Sequence, residues 1–176
     1  QLPQLLQDTG ARVVLRPMLL GGVFQATSNH SPATVPAKGK YLFVDLARFA
    51  RRYGVPFVMN PYFMINTLTP MRVAAGLALR QDARAAAFDA AMYRAIWVEA
   101  RNMNDPQVVA ETWAQAGFDP AALAALAADA AVKDALKAAT QEAVSRGVFG
   151  APTIFVGDEM YWGQDRIDFV KEALKA

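Results

Sequence analysis

The side chains able to do chemistry fall in two stretches, residues 29–38 and residues 151–165. Asn29 offers an amide, and Lys38 offers a point positive charge suited to a carboxylate. By residue type alone they are equally two exposed loop residues. His30, the only histidine, invites a general-base reading, which is rejected because a loop histidine is ordinarily solvated. Ala151-Pro152 stands directly before the apolar run Thr153-Ile154-Phe155-Val156; taken alone it reads as a trans turn proline leading into a strand. Gln164-Asp165 opens a last helix, where unpaired N–H groups and the positive end of the helix dipole suit an anion. Taken alone, Asp165 is a helix cap worth about 1 kcal/mol. Arg166 beside it reads as a solvated or ion-paired residue and is left out of the site. With no cysteine in the chain, a disulfide framework, a thiolate zinc site and CxxC redox chemistry are excluded. A single histidine excludes a histidine-rich metal centre, and no metal is expected.

These groups must be held by a scaffold of 176 residues, 54% hydrophobic and 19% charged, with a formal charge of +2. Such a chain can bury a full core and lacks the composition of disorder. The charge is too small and too scattered to argue for nucleic acid. No apolar run is long enough to span a membrane and no signal peptide is visible, so a soluble, cytoplasmic protein is expected.

Gln1 to Asp8 reads as the end of a helix stopped by Thr9-Gly10. Val13, Val14 and Leu15 then form an expected strand closed by Pro17. A helix running into a buried strand suggests a strand before Gln1, the alternative being a natural start at a helix after processing. Leu19 to Lys40, rich in glycine, serine and proline, reads as one long irregular loop of the functional or mobile kind. Leu42, Leu46, Phe49, Ala50 and Tyr53 make a helical stripe stopped by Gly54, and Val55-Pro56-Phe57-Val58 is short and extended. From Pro70 to Arg146 the pattern is four or five alanine-rich helices. One stripe is Phe88, Met92, Ala95 and Ile96, and another is Val132, Leu136, Ala139 and Ala143. Asp105-Pro106 and Asp119-Pro120 supply caps with proline at the first helical position. Thr153–Val156 and Glu159–Trp162 flank Gly157-Asp158 as a hairpin. Ile167, Val170 and Leu174 mark the last helix. Trp97 and Trp113 are assigned to the core. Tyr62, Phe63 and Met64 are candidates for an aromatic substrate pocket, core packing being the simpler reading for at least one of them.

Gly147-Val148-Phe149-Gly150-Ala151-Pro152-Thr153 followed by Tyr161-Trp162-Gly163-Gln164-Asp165-Arg166 resembles the 2-hydroxychromene-2-carboxylate isomerases, relatives of kappa-class glutathione transferases with a DsbA-like thioredoxin fold. The resemblance extends to Gly21-Gly22, to Asn29 with Lys38-Gly39, and to the helical block. It implies an α/β fold, a thioredoxin-like mixed sheet with an all-helical insertion and its first strand missing ahead of Gln1. The parts are then residues 1–60, the N-terminal part of the thioredoxin-like domain; residues 61–146, the helical insertion; and residues 147–176, the C-terminal ββα unit.

The resemblance also implies glutathione as cofactor. Ala151, before a cis Pro152, would hold its peptide through a free N–H and C=O. Gln164 and Asp165 would meet the γ-glutamyl end, and Asn29 and Lys38 the remaining oxygens and carboxylate. It implies an isomerase of a small aromatic-degradation substrate, acting by reversible addition of the glutathione thiolate. The serine that activates the thiol is expected before Gln1. The rivals are a kappa-like transferase that releases a conjugate, a non-catalytic glutathione- or peptide-binding module, and a plain helical scaffold. A homodimer is left open.

Overall fold

The computed structural model describes residues 1–175. Nine helices and one hairpin are described: α1 (Leu2–Thr9), α2 (Leu20–Thr27), α3 (Pro36–Tyr53), α4 (Leu68–Leu79), α5 (Ala85–Trp97), α6 (Pro106–Gln115), α7 (Pro120–Ala128), α8 (Ala130–Ser145), β1 (Thr153–Val156), β2 (Glu159–Trp162) and α9 (Ile167–Ala173). Short 3-10 turns precede α3 (Pro32–Thr34) and α9 (Gln164–Arg166).

The core lies among α4 to α8. Val73 and Leu77 of α4, Phe88, Met92 and Ile96 of α5, Trp113 of α6, Leu123 and Leu126 of α7 and Val132 of α8 are all buried in one cluster. Phe88, Met92, Ile96 and Val132 are stripe positions that the helical periodicity marks, and Val73, Leu77, Leu123 and Leu126 complete the facing apolar surfaces. Phe88 meets Phe118 edge-on, centroids 5.7 Å apart. Gly76 lets α4 and α7 touch: a Cβ there would stand 2.7 Å from Leu126 Cγ. Asp105 and Asp119 cap α6 and α7 as expected, accepting from Gln107 N–H and Ala121 N–H at 2.9 Å each. Asp129 does the same for α8.

The expected loop over Leu19–Lys40 is instead α2, a 3-10 turn and the start of α3. Tertiary packing overrides the weak helix propensity of Gly21-Gly22. Val23 is fully buried, Gly22 passes so close to α8 that a Cβ would stand 3.1 Å from Thr140 Cγ2, and Thr140 Oγ1 accepts from Leu19 N–H at 3.0 Å. Without those contacts the glycines would cost about 1 kcal/mol each in a helix.

The expected strand at Val13–Leu15 is also corrected. These residues lie outside regular structure and all three side chains are exposed. A short apolar run becomes a strand only when a neighbour takes its backbone N–H and C=O groups, and no strand among the described residues pairs with it. The sheet is therefore not the expected mixed one. It is a two-stranded antiparallel hairpin in register Thr153↔Trp162, Ile154↔Tyr161, Phe155↔Met160 and Val156↔Glu159, turned at Gly157 with φ 59°. Helix α9 packs on β1 and α1 and is anchored by buried Val170. Its Lys171 pairs with Asp8 of α1, whose carboxyl is held below the ordinary range first by that hydrogen bond. No helix among the described residues is long and apolar enough to cross a membrane.

Candidate functional site

The site is built where the chain leaves α8. Gly147, with φ 84°, ends the helix, and Val148 is buried and donates its N–H to Ala143 O at 2.9 Å. That fixes the entry to Phe149–Pro152. Gly150 is buried because the indole of Trp162 occupies the space a side chain would need: a Cβ there would stand 2.5 Å from Trp162 Nε1. Phe149 packs on the same indole, centroids 5.0 Å apart. Thr153 Oγ1 donates to Gly150 O at 2.9 Å, and Gly163 N–H donates to Pro152 O at 3.0 Å. The two C-terminal motifs thus form one frame.

Within that frame the Ala151–Pro152 peptide is cis and both residues are exposed. Neither the N–H nor the C=O of Ala151 has a partner among the described residues. A backbone pair that is exposed, unpaired and rigidly framed can take an extended peptide as an added strand would.

Asn29 follows Ser28, the left-handed cap of α2. Its Nδ2 donates to Phe149 O at 2.9 Å and its Oδ1 accepts from His30 N–H at 2.8 Å. One amide N–H is left over by this arrangement. His30 is exposed and joins the site only through its backbone.

Gln164 and Asp165 lie in the 3-10 turn ahead of α9 rather than in its first turn. Neither caps the turn or the helix by a side-chain bond, so the plain cap reading of Asp165 is set aside. Gln164 Oε1 accepts from Tyr53 O–H at 3.1 Å, which anchors the end of α3. Asp165 pairs with Arg166 at 2.6 Å and folds over Gly163, where a Cβ would stand 2.6 Å from its Oδ1. Behind them Tyr161 O–H donates to the Glu159 carboxylate, which holds the phenol above its ordinary range.

Lys38 lies apart. It sits in the first turn of α3 and lines an open depression of about 450 Å³ with Pro32, Ala37, Tyr41, Leu42 and Asp45. Among the described residues no hydrogen bond or ion pair joins it to Asn29, Ala151, Gln164 or Asp165.

The aromatic candidates Tyr62, Phe63 and Met64 are all partly or largely exposed. Phe63 packs edge-on to Phe43 at 5.9 Å and lies 5.7 Å from Trp97, which stacks on Phe57 at 5.8 Å. Trp97 is half-buried at the core's edge, and Trp113 is in the core. This loop is held by Asn60, which is 1% exposed, donates to Ile96 O and Arg101 O, and accepts from Tyr62 N–H. Sequence reasoning misses Asn60, Tyr53 and the Gly150–Trp162 contact. The last was within reach: the hairpin register puts Trp162 opposite Thr153, just after the glycine that makes room for it.

The whole described chain matches the DSBA-like thioredoxin domain family, over residues 1–175. It is 33% identical to a 2-hydroxychromene-2-carboxylate isomerase of Sphingobium xenophagum, covering 99% of this chain and 88% of that protein. The chain belongs to the 2-hydroxychromene-2-carboxylate isomerase family. Within that family its fold is close to the solved structure of a selenomethionine 2-hydroxychromene-2-carboxylate isomerase, with a TM-score of 0.84 at 30% identity over 99% of this chain and 85% of that one. More distantly it is similar to glutathione S-transferase kappa 2 of Caenorhabditis elegans, 27% identical over 93% of this chain and 80% of that protein.

Proposed function

We propose that this chain is a glutathione-dependent isomerase of an unsaturated aromatic-degradation carboxylate, of which 2-hydroxychromene-2-carboxylate is the model. The observation that carries the reading is the unpaired, exposed backbone of Ala151 set in a rigid frame. That arrangement fits a peptide ligand.

Ala151 N–H and C=O would take one amide unit of the tripeptide in the manner of strand pairing. The Gln164 amide would donate to the γ-glutamyl carboxylate, while the Asp165 carboxylate would accept from the neighbouring ammonium in a charge-assisted bond. Asn29 has one N–H left for a peptide oxygen, and Lys38 would serve the glycyl carboxylate as a point charge. Glutathione, when bound, supplies a sulfur nucleophile that adds reversibly to a conjugated carbon and is regenerated. The apolar ring of Phe149 beside Ala151 suits a flat substrate ring.

The test is conversion of 2-hydroxychromene-2-carboxylate with and without glutathione, followed by absorbance and mass spectrometry. Turnover that requires glutathione and leaves no stable thioether supports the isomerase. An accumulating thioether would instead identify a transferase of the kappa kind, the reading favoured by the similarity to the Caenorhabditis elegans protein. Binding without turnover of any enone would identify a binding module.

A further inference from the structure

We propose that Trp162 is a positioning residue for glutathione, acting through Gly150 to set where the Ala151 N–H and C=O stand. The inference rests on the glutathione reading above and assigns a role to a residue outside the contacts invoked there.

Gly150 is buried beneath the Trp162 ring, with room for no side chain: a Cβ would stand 2.5 Å from Nε1, 3.2 Å from Cε2 and 3.4 Å from Cδ1. Separations under 3 Å force something to move, and a ring moves as a whole. The ring also packs on Phe149, centroids 5.0 Å apart, so it contacts both residues ahead of Ala151. On the far side, Gly163, adjacent to Trp162, donates to Pro152 O at 3.0 Å. Trp162 and its neighbour therefore hold the backbone on both sides of Ala151, while Ala151 itself makes no hydrogen bond among the described residues. A core tryptophan would need no such arrangement. This one is 48% exposed, which makes it a poor contributor of buried area and a good lever on a short segment.

The test is calorimetric binding of glutathione to the full chain and to Gly150→Ala, Trp162→Ala, the double variant and Trp162→Phe. Misplacing one backbone bonding pair should weaken binding roughly tenfold, so Gly150→Ala and Trp162→Ala should each show about that loss. In the Trp162→Ala background the added Cβ meets open space, so the double variant should be no weaker than either single change. Trp162→Phe keeps a ring over Gly150 and should retain most of the affinity. In turnover, KM for glutathione should rise while kcat holds. Additive losses in the double variant would overturn the proposal, as would a Trp162→Phe loss equal to that of Trp162→Ala, which would make the indole N–H a direct ligand donor. Unchanged affinity in folded Trp162→Ala would overturn it while leaving the glutathione reading intact. Absence of binding by the unaltered chain would overturn both. Should Trp162→Ala fail to fold by circular dichroism, Trp162→Val alone and paired with Gly150→Ala gives the same comparison: the pair should be no weaker than either single change, and additive losses overturn the proposal.

Discussion

Asn29 donates through Nδ2 to the Phe149 carbonyl at 2.9 Å, joining residues 120 positions apart. It ties the cap of α2 to the segment that carries Ala151. Asn29→Ala should cost about 1 kcal/mol in urea denaturation, the net worth of one neutral hydrogen bond. It should also weaken glutathione binding by more than that loss of stability alone explains. Affinity equal to the unaltered chain would show that Phe149 keeps its place without this bond.

Asp165 carries the charge proposed to face the glutathione ammonium. Asp165→Asn removes it while keeping the shape, and should weaken binding by about 1.5–3 kcal/mol. Arg166→Ala removes the guanidinium that now pairs with Asp165 at 2.6 Å and should leave affinity unchanged or tighter. Calorimetry showing the larger loss for Arg166→Ala would reverse the two assignments.

Asn60 is buried and satisfies Ile96 O, Arg101 O and Tyr62 N–H. Asn60→Ala leaves these groups short of partners at roughly 1–3 kcal/mol for each that water cannot reach. The expected result is a clear fall in melting temperature with faster amide exchange in residues 60–66. A melt matching the unaltered chain would mean that water replaces the side chain.

Gly76 sits where α4 meets α7, with Leu126 Cγ 2.7 Å from the place of a Cβ. A Gly→Ala change in an exposed helix interior would stabilise by up to about 1 kcal/mol. Here overpacking reverses the sign, and Gly76→Ala should destabilise by roughly 1–3 kcal/mol. In a Leu126→Ala background, itself less stable by roughly 2–5 kcal/mol, Gly76→Ala should add little further loss, measurable in the same denaturation series.

Asp82 accepts from Arg84 Nη2 at 2.7 Å, from Nε and from the backbone N–H. The Arg84 side-chain hydrogen bonds lead in lowering its carboxyl from 3.8 to about 2. Because the folded value lies below the unfolded one, the contribution to stability is present above about pH 4 and is lost as pH falls through about 2. Carbon NMR of the Asp82 carboxyl should titrate near 2, and Asp82→Asn should flatten that part of the stability profile. A midpoint near 4 would show the pair to be open in solution.

The helical block is legible because its signals are local. Asp105-Pro106, Asp119-Pro120 and the Phe88-Met92-Ile96 stripe each act within one or two turns. The hairpin is legible for the same reason, through Gly157-Asp158. Helix α2 is hidden because its glycines argue against it, and only the surface of α8 near Thr140 makes them useful. Val13–Leu15 misleads because a short apolar run marks what could pair, and pairing is decided by neighbours elsewhere in the chain. That the stretches holding Asn29, Ala151-Pro152 and Gln164-Asp165 meet is signalled by motif resemblance rather than by spacing. The contacts that frame it, from Trp162 to Gly150 and from Tyr53 to Gln164, join residues too far apart for any periodicity to announce them.

The distances along the chain between the site's partners carry a consequence for how the molecule is made. Asn29–Phe149, Tyr53–Gln164 and Asp8–Lys171 link residues 120, 111 and 163 apart, whereas α4 to α8 succeed one another through short connections and bury one continuous cluster. Loop-closure entropy makes distant contacts slow to form and nearby ones quick. The helical block can therefore assemble while the ribosome is still adding the hairpin, and the frame around Ala151 comes into being only when residues 149–171 emerge and dock on elements synthesised long before. A chain made in this order completes its helical core before the frame around Ala151, so glutathione held there as proposed could not template the core.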